Sequence, residues 1–177
     1  MGRPGLILVT GPPGSGKTTL AHALGAAMGC PVVSRDAIKE GMVAAERGLS
    51  GATSDSLTLQ TYKLFFATLD LLLRGGVTTV AEAAFGHQRW TQGLRSLTEL
   101  ADLRVIRCQV TELEAHRRMQ HRLGADPARA AHADGEHLAA PPAFTPLSLD
   151  APMLQVRTSD GYDPDLSAVL AFCRASS

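Results

Sequence analysis

A mainly parallel five-stranded α/β sheet, covered by helices on both faces, is the fold this chain predicts. Three observations predict it. Short apolar or β-branched runs alternate with longer segments whose apolar residues recur at helical spacing. The octapeptide Gly11-Pro12-Pro13-Gly14-Ser15-Gly16-Lys17-Thr18 joins the first such run to the first such segment. The 177 residues, 45% hydrophobic and 19% charged, suffice for one core and leave no room for a second domain of ordinary size. Residues 1–177 are therefore read as a single domain.

Residues 6–9 form the first strand, and 19–28 the helix that follows the octapeptide. Residues 31–34 read as a short buried strand, and 35–47 as a helix with Ile38, Met42 and Val43 on one face. The composition of 48–56 is that of a loop, and the apolar helix over 57–73 stops at Gly75-Gly76. Its Tyr62, Phe65, Phe66 and Leu69 stripe is expected in the core. The β-branched run 77–81 is a central strand ending at Glu82, followed by a helix over 88–100 in which Trp90 packs against neighbours. Residues 103–110 give a fourth strand. Residues 111–123 give a helix with Thr111 as N-cap and Glu114 at the capping-box position. Residues 124–146, rich in Ala, Pro, Asp and His, carry no clear period and read as mobile. A strand over 153–158, a turn and a helix over 165–174 close the chain.

Composition narrows the function. The formal net charge is zero, against the basic excess that long nucleic acids require, so a small substrate is favoured. Three widely spaced cysteines, Cys30, Cys108 and Cys173, suit reduced buried thiols rather than a disulfide framework or a metal cluster. No apolar run reaches the ~20 residues of a membrane span, and no signal peptide is evident, so the cytoplasm is the expected compartment.

The octapeptide fits G-x-x-x-x-G-K-[ST] and has the strand–loop–helix context that pattern needs. Its glycines let successive amides turn inward around a polyphosphate, and the helix adds its positive N-terminal dipole. Gly11, Pro12, Pro13, Gly14, Ser15, Gly16, Lys17, Thr18 and Thr19 are therefore expected to contact ATP. Lys17 would reach the β- and γ-phosphates, and Thr18 would ligate Mg²⁺. The fold is accordingly a P-loop NTPase. A GTPase would show Asn-Lys-x-Asp and Asp-x-x-Gly, and a motor ATPase a strand ending in an acidic pair; the chain has none of these. A small kinase remains. Phosphoryl transfer to an alcohol needs a carboxylate near the acceptor hydroxyl, and Asp36, at the junction of the second strand and its helix, is placed for that. The alternative is a first-turn acid that merely favours the helix dipole.

With Ser34-Arg35-Asp36 and the phosphate loop together, the chain resembles small kinases of the AAA-type P-loop superfamily: polynucleotide 5′-hydroxyl kinases, zeta-toxin-like and chloramphenicol phosphotransferase-like enzymes. That resemblance implies Asp36 as general base and Lys39, one helical turn later, as a substrate contact. Lys stands where Arg is commoner, which weakens a bidentate phosphate contact. It implies further substrate contacts from Glu82 and Arg89, with Ala84 departing from a usual polar residue. Glu82 would touch the Mg²⁺ shell or substrate hydroxyls, or else pair with an arginine. The resemblance also implies a helical lid over about 115–146 whose arginines meet the γ-phosphate. Arg118 and Arg122, four apart on one face, would repel unless an anion lay between them, so they and then Arg129 are the candidates. His132 and His137 in the lid read as surface or gating residues, and Thr158 to Tyr162 are expected near the adenine. The expected activity is ATP- and Mg²⁺-dependent transfer of the γ-phosphate to a hydroxyl of a small molecule. The alternatives are an RNA or DNA 5′-hydroxyl kinase, or a nucleotide-dependent ATPase or switch.

Overall fold

The computed structural model describes residues 2–45, 55–85, 87–125 and 149–175, without the side chains of 55, 87–89 and 123–125. In chain order the elements are β1 (Gly5–Thr10), α1 (Lys17–Met28), β2 (Val32–Ser34), α2 (Arg35–Ala45), α3 (Asp55–Arg74) and β3 (Thr79–Glu82). They continue with α4 (His87–Thr98), β4 (Asp102–Gln109), α5 (Glu112–Ala125), β5 (Met153–Arg157) and, last, α6 (Leu166–Arg174).

The five strands form one sheet in the order β2-β3-β1-β4-β5, every neighbouring pair parallel. Apart from Gly5, every residue of β1 is buried, as a central strand covered on both faces must be. Alternation along it feeds two cores. Leu6 and Leu8 pack with Phe65, Leu69, Trp90 and Leu94 of α3 and α4, while Ile7 and Val9 pack with Leu20, Leu24 and Val169 of α1 and α6. The aromatic stripe and Trp90 belong to the first core. The Trp90 ring meets Phe85 at 4.4 Å and Tyr62 at 4.6 Å, both edge to face, each worth about 0.5–1.5 kcal/mol beyond area burial.

Two element boundaries differ from expectation, one of them because a side chain outcompetes propensity. Val77 and Thr78 are β-branched yet lie outside β3, because the Thr78 hydroxyl accepts the Gly5 amide at 3.0 Å and takes the donor a ladder would use. Asp55 and Ser56, expected in a loop, open α3. The remainder of that loop lies outside the described residues. Thr111 caps α5 as expected, accepting the Glu114 amide at 3.3 Å. The Glu114 carboxylate does not complete the box; it pairs with Arg117 and Arg118. Among the described residues no helix is long and apolar enough to cross a membrane. Cys30, Cys108 and Cys173 are free thiols, the last two buried.

Candidate active site

In a parallel sheet the carboxyl ends of the strands gather at one edge, and here β3, β1 and β4 bring their ends beside residues 11–18. Four carbonyls of this loop are committed to the protein. Pro12 O accepts the Ser15 amide at 3.2 Å and Gly16 O the Leu20 amide at 3.1 Å. Gly14 O accepts from Arg118 Nη1 at 3.4 Å, and Ser15 O from the Thr158 hydroxyl at 2.8 Å. None of the described acceptors takes the Gly14, Gly16, Lys17 or Thr18 amide, which are the donors an anion would need. Gly14 and Gly16 hold left-handed conformations, φ 77° and 74°. A Cβ on Gly14 would stand 2.6 Å from the Ala115 carbonyl oxygen, so α5 crosses the loop too closely for any other residue.

Lys17 opens α1 and is only 8% exposed. Its Nζ lies 3.9 Å from Glu82 Oε1. The fully buried Glu82 ends β3, opposite Val9 of β1 on one side and Ser34 of β2 on the other. Its carboxylate accepts the Ser34 hydroxyl at 2.6 Å and the Thr18 hydroxyl at 3.3 Å. The cationic partner of Glu82 is thus the phosphate-loop lysine rather than the arginine of the alternative reading, because β3 ends beside β1, which leads into that loop. Ser34 has a second contact: its oxygen accepts the Ala37 amide at 3.4 Å, capping α2 and tying it to Glu82. That residue was not singled out from sequence, although a serine at a strand-to-helix junction is an N-cap signal.

Asp36 stands in the first turn of α2, two residues beyond that hydroxyl, its side chain 31% exposed. Arg35 Nη1 pairs with it at 2.9 Å, and the guanidinium lies 5.4 Å over the Tyr62 ring. Arg35 Nε is buried without a hydrogen-bond partner among the described residues. Lys39 is 4% exposed; burial lowers its ammonium pKa, Arg35 lowers it further and Asp36 opposes. Behind the loop, burial pushes the Cys108 thiol up to about 12, with Lys17 opposing and Glu82 adding to the rise.

Arg118 is held on several sides. Nε donates to Glu114 at 2.9 Å, and Nη2 to the carbonyls of Thr158 at 2.7 Å and Ser159 at 3.1 Å, beside the Nη1 bond to Gly14. Glu114, held below the usual carboxylate range by Arg117 first and then Arg118, pairs with both and gives Arg118 a counter-ion on its own helix. Arg118 and Arg122 border a cleft of about 420 Å³ with Gly16, Thr19, Thr158 and Tyr162. The Thr158–Tyr162 corner therefore faces the helix end of the phosphate loop. The backbone of Arg89 lies in α4, its side chain outside the described set. Arg129, His132, His137 and the expected lid beyond residue 125 fall outside the described residues; 115–125 belong to α5.

A phosphate loop at the end of the central strand of a β2-β3-β1-β4-β5 parallel sheet defines a P-loop nucleotide-binding domain. The chain belongs to the AAA domain family, whose profile matches residues 6–147. It is similar over 98% of both chains to a Chloroflexus aurantiacus protein provisionally described as a kinase, with 27% identity and a TM-score of 0.82. At the level of fold it also matches the Mycobacterium tuberculosis APS kinase CysC, solved with AMPPNP and APS. There identity is 15%, coverage 99% of this chain and 100% of that one, and TM-score 0.64. A chain of the Pnkp1/Rnl/Hen1 RNA repair complex matches at 21% identity and TM-score 0.61, over 82% of this chain and 48% of that one. No match was found among curated proteins. The chain is thus a P-loop protein of a kinase-like family.

Proposed function

We propose that the protein transfers the γ-phosphate of ATP, with Mg²⁺, to a hydroxyl group of a small-molecule acceptor. The observation that carries this reading is the Lys17–Glu82–Ser34 chain of contacts, which links the phosphate loop to the start of α2, where Asp36 stands. The uncommitted loop amides and Lys17 would hold the β- and γ-phosphates, and Arg122, with Arg129, would meet charge developing on the γ-phosphate. The donor set suits Mg²⁺: a hydroxyl and a carboxylate oxygen 3.3 Å apart, Thr18 and Glu82, beside the phosphate cup. When bound, the ion would offset the charge of the triphosphate.

Asp36 would take the acceptor hydroxyl proton as the acceptor oxygen bonds to phosphorus and the bond from phosphorus to the β,γ-bridging oxygen breaks, releasing ADP. Lys39, Glu82 and Arg89 would orient the acceptor. Purified protein offered ATP, Mg²⁺ and a panel of hydroxyl-bearing metabolites should yield one product heavier by one phosphate. A panel with no phosphorylated product, alongside ATP binding, would leave the ATPase or switch reading in place of the kinase. The Arg35-Asp36 segment also favours a nucleic-acid 5′-hydroxyl kinase, which the zero net charge opposes. End-labelled oligonucleotides across a salt series separate the two: no binding at low salt excludes it.

A further inference from the structure

We propose that Thr158 is a positioning residue of the phosphate loop, joined to Arg118 in a strap that turns the Gly16 amide toward the phosphate. The proposal rests on the nucleotide-binding reading of residues 11–18 and assigns a duty to a side chain outside them.

Thr158 is the first residue after β5 and is 6% exposed. Its amide donates to Gln109 O at 3.0 Å, fixing it to the end of β4. Its hydroxyl donates to Ser15 O at 2.8 Å, with Gln109 O a secondary acceptor at 3.3 Å, and accepts from Arg118 Nη1 at 3.5 Å. Arg118 spans the same junction, reaching Gly14 O, Thr158 O and Ser159 O while Glu114 holds its Nε. Two loop carbonyls are therefore gripped by side chains more than 100 residues away in sequence.

The consequence follows from peptide geometry. In a planar trans peptide the C=O and the next N–H point in opposite directions. Holding Ser15 O toward Thr158 turns the Gly16 N–H the other way, toward the side where no described acceptor takes it. Gly16 is in the left-handed region, where glycine has little intrinsic preference to keep one orientation, so an external constraint is what selects it. On this account Arg118 acts through the loop, as a positioning residue, rather than as a lid arginine on the γ-phosphate.

Thr158→Val keeps the shape and removes the hydroxyl; Thr158→Ser restores it. Titration calorimetry with MgATP, magnesium tripolyphosphate and adenosine separates cup shaping from base contact. Thr158→Val should lose about 10-fold in affinity for both MgATP and tripolyphosphate, leave adenosine unchanged, and be rescued to within about 3-fold by Thr158→Ser. Unchanged tripolyphosphate affinity, a loss confined to adenosine, or failure of the serine to rescue would overturn the strap. Backbone order at Gly16 in ligand-free protein, read by ¹⁵N relaxation, should fall in Thr158→Val and stay at the parent value in Thr158→Ser. If the valine variant does not fold, Thr158→Cys, with a weaker donor, carries both measurements. A parent that binds neither MgATP nor tripolyphosphate overturns the nucleotide reading. The relaxation measurement needs no ligand and still decides the strap.

Discussion

Replacing Glu82 by glutamine probes the junction on which the proposed chemistry depends. At 3.9 Å the Lys17–Glu82 attraction is about 4 kcal/mol gross at an effective dielectric of about 20. Desolvation of two groups that are 10% and 0% exposed cancels much of it, while glutamine still offers one oxygen to Ser34 or Thr18. A net loss of about 1–3 kcal/mol follows, which for a chain of this length lowers Tm by about 3–10 °C. Nucleotide binding gives a second, opposite effect. In the ligand-free protein a phosphate must displace Glu82 from Lys17, so removing that competitor should tighten ATP binding without metal by about 3- to 10-fold. With Mg²⁺ present the missing carboxylate should cut phosphoryl transfer by about 100-fold. Scanning calorimetry, ATP titration in EDTA and in Mg²⁺, and steady-state rates read the three effects. A Glu82→Gln protein with unchanged Tm whose metal-free ATP affinity is equal to or weaker than the parent's would refute the reasoning.

Asp36→Asn should leave ATP affinity near the parent value while transfer falls by about 100-fold or more, seen in kcat rather than in KM for ATP; equal transfer rates would remove Asp36 from the base role. Gly14→Ala places a methyl 2.6 Å from a backbone oxygen of α5 at φ 77°, so both Tm and ATP affinity should drop, by differential scanning fluorimetry and titration. The buried thiols of Cys108 and Cys173, raised by burial to about 12 and about 11, should resist alkylation in native protein at pH 8 and react once it is unfolded, as mass spectrometry would show. The unfolded thiols ionise near their ordinary value of 9.0 and the folded ones do not, so stability is intact below pH 9 and declines as pH rises toward 12, lowering Tm.

Strands and helices were legible in order because periodicity is a short-range signal: β1 is a continuous apolar run, α3 an apolar stripe, and the octapeptide sits between strand and helix. One boundary moved where a side chain formed a bond that periodicity does not see: Thr78 looks like strand and instead accepts the Gly5 amide. Another moved by two residues, as Asp55 and Ser56 look like loop and open a helix. Within the site, Lys17, Thr18, Asp36 and Glu82 were each visible as residue types at a strand end or helix start. Ser34 carries no local signal for its bond to Glu82, which depends on β2 pairing with β3. Spacing alone likewise did not give Arg118 its partner, the Glu114 carboxylate four residues earlier on α5.

The sequence by itself determined the class of protein. A phosphate loop is eight consecutive residues whose glycines, lysine and threonine act through local backbone geometry, and nothing distant is needed to recognise it. What only the tertiary structure decided is who holds that loop in shape and who shares its lysine. Glu82 reaches Lys17 because β3 and not β2 lies beside β1, and Thr158 reaches Ser15 because β5 ends next to β4. Strand order depends on how both faces of the sheet are covered, a choice made by packing across the whole chain rather than by any segment of it.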